Sequence, residues 1–308
     1  MRKRQRAAAA NALTLYLDNL APSGRRSARS RLCTAAEILG HEEVALEAVP
    51  WASFGYAELA AVRAELLRRG KVPSTINSTL AALRGVLRTA FGLGLIPADV
   101  YLRLDQVELV KGKRLPAGRS LTPGEVDKLL RACRRDKTPA GARDAAMIAL
   151  MAAAGLRRAE VVSLVMDDYE RRRGRLAVRE GKGGQQRELV LPGAVRRDLG
   201  QWVKVRGRVD GPLFCPVLAN GRKEMRALSA QRLYDVVAER AAAAGIERCT
   251  PHDLRRTFVT RLLSQDVDLN TVRQLAGHSD MQTTARYDCR DDRAQRRALR
   301  QSGAASRA

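Results

Sequence analysis

The stretch RLAVREGKGGQQRELVLP, residues 175–192, decides the fold. On both sides of it apolar residues recur every three to four positions, the spacing of helices with one buried face. Within it the rhythm drops to two. RLAVRE (175–180) and RELVLP (187–192) alternate as strands, and GKGGQ between them supplies the flexible residues of a turn. A hairpin set among helices predicts a mainly α chain with a small β-hairpin or sheet in its C-terminal part.

Working outward, helical spacing is expected over 7–20, 27–39, 56–69 before Gly70, and 74–91 with Ser74 as cap, with a short helix after Pro97. These make a helical domain at 1–108. LVKGKRLPAGRS (109–120) is basic and broken by Gly and Pro, so it reads as a linker. A second domain, 121–290, begins at LTPGEVDKLL, where Thr122 caps a helix, Pro123 takes its first position and Glu125 completes a capping box. Further helices are expected at about 142–154, after GLRRAEVVSL, and at 193–205, 230–244, 251–264, 270–276 and 280–288. Residues 291–308 form a polar tail.

The 308 residues are 45% hydrophobic and 29% charged, enough apolar material for two cores. The net charge is +23, with +9 in residues 1–120 and +14 in residues 121–308. A positive field spread over both halves implies a polyanionic partner, nucleic acid first among them. The five cysteines, Cys33, Cys133, Cys215, Cys249 and Cys289, are scattered and imply no disulfide framework, which fits a reducing cytoplasm. The longest apolar run, AAMIALMAAAGL (145–156), is too short for a membrane span, and the basic-then-apolar start reads as an amphipathic helix rather than a signal peptide.

Four segments carry side chains suited to phosphate. GLRRAEVVSL has Arg157 at a helix entrance. The hairpin turn has Lys182. TPHDLRRTF has His252 and Arg255, three apart on one helical face, and LAGHSDMQTTARYD has His278 and Tyr287. Singly, each is commoner as a solvated or packed residue, but two of only three histidines fall in these segments. Phosphodiester cleavage requires removing on the order of 20 kcal/mol from the barrier, and fixed cations can do so without metal. Arginine grips two phosphate oxygens and stays charged. Lysine can protonate a leaving oxygen. Tyrosine needs neighbouring cations and a base, because its phenol pKa is about 10. Thr250, Pro251 and Asp253 form a helix start that places His252 in the first turn, where the helix dipole favours the neutral, proton-accepting imidazole. Cys249, His252, His278 and Cys289 offer a competing zinc reading through Cys-x-x-His spacing, although the second pair is widely spaced.

Together the segments resemble the tyrosine recombinase (phage integrase) family, with its Arg…Lys…His-x-x-Arg…His…Tyr set, over roughly residues 8–290. The resemblance implies a two-domain DNA clamp, a helical core-binding domain plus a mixed α/β catalytic domain, of the type without an arm-binding domain. It implies catalysis by Arg157, Lys182, His252, Arg255, His278 and the nucleophile Tyr287, with Glu160 as supporting acid and no metal or other cofactor. It further implies site-specific recombination of double-stranded DNA, of the phage or transposon integrase kind, through a 3′-phosphotyrosyl intermediate and a Holliday junction, by a cytoplasmic homotetramer on paired sites with no membrane partner. Candidate DNA contacts are Arg25, Arg26, Arg84 and Arg88 in the helical domain, and Lys113 and Arg114 in the linker. Alternatives are a chromosomal dimer resolvase of the Xer type, a type IB topoisomerase-like nicking-closing enzyme, and a DNA-binding protein without catalysis.

Overall fold

The computed structural model describes residues 12–112, 118–179, 186–278, 280 and 281. The chain divides into two compact units, Met1–Leu115 and Pro116–Ala308.

The first unit is helical throughout its described residues: α1 (12–18), α2 (Pro22–Ile38), α3 (Tyr56–Arg68), α4 (Pro73–Gly92) and α5 (Ala98–Leu104), with single 3-10 turns at Leu46–Ala48 and Trp51–Ser53. α4 is its axis. Ile76, Leu80, Leu83, Leu87 and Ala90 recur on one face and are fully buried. Ser74 is not the cap. Pro73 occupies the first turn and Val72 the capping position, because the fixed φ of proline suits a helix start ahead of Ser74. α2 likewise begins at Pro22, ahead of the expected 27. Gly85 in mid-α4 has a packing reason: a Cβ there would lie 2.2 Å from the Tyr16 ring. The segment leaving the unit is tied back to α4, since Asn77 Oδ1 accepts from the Val110 N–H (2.9 Å) and Asn77 Nδ2 donates to the Val110 carbonyl (3.1 Å).

The second unit wraps helices around α7 (Pro139–Ala154), which is buried almost all round. α6 (Pro123–Arg135), α9 (Gly193–Arg206) and α11 (Pro251–Ser264) pack against it. Thr122 and Glu125 cap α6 reciprocally, as the sequence predicts. β2 (Arg175–Val178) and β3 (Arg187–Val190) pair antiparallel with Leu176 opposite Leu189, and these leucines face the core. A third strand, β1 (Tyr169–Glu170), joins the other edge of β2. α8 (Arg158–Ser163), α10 (Ala230–Ala243) and α12 (Leu269–Ala276) complete the unit. α11 and α12 share a small apolar cluster of Phe258, Val259, Leu263, Val272 and Ala276. No helix among the described residues is long and apolar enough to cross a membrane.

Candidate active site

Two left-handed glycines build the site. α7 ends at Gly155 (φ +67°), which reverses the chain so that Arg157 stands at the start of α8. α12 ends at Gly277 (φ +64°), which reverses the chain again and delivers His278. Glycine is required at 155 twice over, because a Cβ there would also lie 2.2 Å from Phe258 Cδ1.

Arg255 and Phe258 lie one turn apart on α11, so the helix that packs on Gly155 also carries the second arginine. Arg255 is buried, and its Nη1 donates to the Gly155 carbonyl at 2.7 Å. Arg157 donates its backbone N–H to Glu160 Oε2 (2.8 Å) and Nη1 to Glu160 Oε1 (2.7 Å), while its Nη2 donates to the Gly277 carbonyl. The two glycine turns are thus each gripped by an arginine.

Glu160 is 1% exposed and has a further partner that no sequence motif singles out. Arg187, at the first position of β3, donates Nη1 to Oε1 (3.0 Å) and Nη2 to Oε2 (2.8 Å), and its Nε donates to the Leu275 carbonyl (3.1 Å). Burial pushes the Glu160 carboxyl up, but hydrogen bonds and charge from Arg187, then Arg157, outweigh it and hold the pKa at about 2. The signal in the sequence was parity: Arg187 shares a strand face with Leu189, and a charge on the inward face requires a buried partner.

His278 is 4% exposed. Its backbone N–H donates to the Arg273 carbonyl at 3.0 Å. Burial lowers its pKa to about 4, helped by the charges of Arg255, Arg157, Arg187 and His252, so the ring is neutral near pH 7. His252 sits in the first turn of α11, where Thr250 and Asp253 cap each other as expected. His252 is exposed overall. Desolvation by partial burial, then the charges of Arg256 and Arg255, lower its pKa too.

Arg157, His252, Arg255 and His278 therefore converge from three separate segments. Lys182 and Tyr287 lie outside the described residues, as do Lys113 and Arg114. Of the other candidate DNA contacts, Arg25 pairs with Asp18 (3.2 Å), Arg26 is exposed, and Arg88 donates to the Tyr101 hydroxyl (3.2 Å). Arg84 is engaged inside its own unit, with Nη2 donating to the Leu104 (3.1 Å) and Val107 carbonyls, an arrangement that locks α5 to α4.

The described residues include no cluster of three or more His, Cys, Asp or Glu able to hold a metal. Burial, then Asp253, pushes the Cys249 thiol up to about 12, which opposes the thiolate that zinc needs. Cys289, the other thiol of the zinc reading, lies outside the described residues.

Comparison with known proteins gives one answer. The phage integrase family profile matches residues 119–293, a span that contains all six candidate catalytic positions. A tyrosine recombinase XerC from Alcanivorax borkumensis is 32% identical over 77% of this chain and 76% of its own length. A tyrosine recombinase XerD from Pseudomonas putida is 34% identical over 72% of each chain. Among solved structures, the Tn1549 transposon integrase in complex with a circular intermediate DNA superposes with a TM-score of 0.68 at 18% identity, over 95% of this chain and 98% of that one, which shows the shared fold. The extent of the profile match and the coverage of these relatives place this chain in the phage integrase family, the tyrosine recombinases.

Proposed function

We propose that this recombinase cuts and rejoins duplex DNA through a 3′-phosphotyrosyl link to Tyr287, without metal or other cofactor. The observation that carries the reading is the convergence of Arg157, Arg255 and His278 on two glycine turns, with one saturated carboxylate behind them. Preorganised cations are worth most where charge develops in a site that water does not relax. The arginines bear on the non-bridging oxygens of the scissile phosphate. Neutral His278 adds an N–H donor without adding charge.

Tyr287 attacks phosphorus in line with the leaving 5′ oxygen. Its phenolic proton passes to neutral His252, the P–O5′ bond breaks, and Lys182 protonates the departing oxygen. The phosphotyrosyl ester keeps the phosphodiester energy. A 5′ hydroxyl from a second duplex then reverses the attack and makes a Holliday junction. In this reading residues 1–108 bind the core DNA, 109–120 link, 121–290 catalyse, and 291–308 contact a neighbour within a homotetramer acting on paired sites in the cytoplasm.

The test is strand exchange between two labelled duplexes that carry the target site. Recombinant product with both parental ends exchanged is expected. Relaxation of supercoiled DNA with no exchange would instead identify a nicking-closing enzyme, and binding without a covalent adduct a non-catalytic protein. In this reading the recombinase is of the phage or transposon integrase kind, and chromosomal dimer resolution of the Xer type is the alternative role. Resolution of a plasmid carrying two direct sites, with no integration into a single-site target, would establish it.

A further inference from the structure

Arg187 is none of the six candidate catalytic residues, yet its side chain joins two of the segments that hold them, through Glu160 and the Leu275 carbonyl. It begins β3, five positions after Lys182 in the sequence. Its fork closes on Glu160, the partner of Arg157. Its Nε reaches the Leu275 carbonyl in the last turn of α12, three residues before His278. The contact is close because Gly277 has no side chain: a Cβ there would lie 2.6 Å from Arg187 Nη1. The Arg187 side chain is 11% exposed, so water cannot replace these bonds.

We propose that Arg187 is a positioning residue, acting through Glu160 on Arg157 and through α12 on His278. The geometry gives two reasons. First, the Glu160 oxygens accept two bonds from Arg157 and two from Arg187, which fills the four lone-pair sites of a carboxylate. The carboxylate is thereby fixed, and Arg157 with it. Second, the trio of Arg157, Arg187 and Glu160 carries a net charge of +1. Without Arg187, Arg157 and Glu160 become a neutral pair, and a phosphate meets no net positive charge there. Lysine would keep the charge but has no fork to span both oxygens and the Leu275 carbonyl.

This inference rests on the phosphotyrosyl reading, and the experiment separates the two. Single-turnover adduct formation on a nicked suicide duplex is measured for wild type, Arg187→Gln, Arg187→Lys, Glu160→Gln and the Glu160→Gln/Arg187→Gln double variant, alongside affinity for the same DNA. Arg187→Gln is expected to slow adduct formation on the order of 10²-fold, the usual penalty for misplacing a reacting group by about 1 Å. DNA affinity should change less than about threefold, because many phosphate contacts share it. Arg187→Lys should recover part of the rate. The double variant should be no slower than its slower parent, because both changes break one unit. Multiplying rate losses, or a rate loss matched by an equal loss of DNA affinity, overturns the proposal. So does an undiminished rate in Arg187→Gln. A wild-type protein that forms no adduct overturns the functional reading itself. If Arg187→Gln does not fold, the comparison of Arg187→Lys with Glu160→Gln/Arg187→Lys decides by the same criterion.

Discussion

Replacing Gly155 by alanine should damage fold and site together, and the two contributions can be separated. The first is backbone strain. At φ +67° an L-residue is in the left-handed region, which costs about 1–2 kcal/mol. The second is a clash. The new Cβ would lie 2.2 Å from Phe258 Cδ1 and 2.6 Å from Cε1, far inside contact distance, and overpacking of this kind costs about 1–3 kcal/mol. The expected loss is therefore about 2–5 kcal/mol. Gly245→Ala is the control: Gly245 has φ +68°, and a Cβ added there would meet nothing within 4 Å, so it suffers the strain alone. Urea denaturation followed by Trp202 fluorescence, in a Trp51→Phe background that removes the other tryptophan, reads the second unit selectively. Gly155→Ala should lose about 1–3 kcal/mol more than Gly245→Ala. It should also lose adduct formation, because the Phe258 shift carries Arg255 with it. Equal losses in the two variants would refute the packing argument. Full activity in a destabilised Gly155→Ala would refute the link between this turn and Arg255.

The pH dependence of stability should carry the signature of buried neutral His278. Its native pKa of about 4 lies below the usual value near 6.5, so the unfolded chain binds the proton first and stability falls as pH drops from about 6.5 towards 4, by on the order of 3 kcal/mol. His278→Gln should flatten most of that slope in urea titrations, leaving the same-signed share of His252, and an unchanged slope would contradict the account. Glu160 acts lower, losing its contribution only as pH falls from about 4.5 towards 2. Arg84→Ala should destabilise the first unit by about 1–3 kcal/mol through its unsatisfied carbonyl partners, whereas exposed Arg26→Ala should leave stability within about 0.5 kcal/mol, both read by thermal melts. Adduct formation should proceed at an unchanged rate in excess chelator, and a strict requirement for a divalent ion would contradict catalysis by protein cations.

What the sequence made legible was local. The capping boxes at Thr122 and Thr250 were readable because a cap, a proline and an acid within four residues leave one solution. The hairpin was readable from its period of two. β1 was not, because two residues hold no period, and Tyr169–Glu170 becomes a strand only by pairing with β2. Ser74 lost the start of α4 to Pro73, which leaves Val72 at the cap, a competition between a side-chain oxygen and a preset φ that composition does not rank. Arg157, His252, Arg255 and His278 stood out by residue type and order. Arg187 did not, because its meaning comes from Glu160, 27 positions away, and from the end of α12, 88 positions away. Arg84 was readable as a cation but not as one held by the Leu104 and Val107 carbonyls, a tertiary fact.

The most direct test of the central claim is the chemical identity of the protein–DNA bond. Wild-type protein trapped on a nicked suicide duplex, digested with protease and nuclease, should yield one nucleotide-modified peptide. The modification should map to Tyr287 by fragmentation mass spectrometry, and Tyr287→Phe should give no adduct. A modified peptide at any other residue, or an adduct that survives in Tyr287→Phe, would contradict the account.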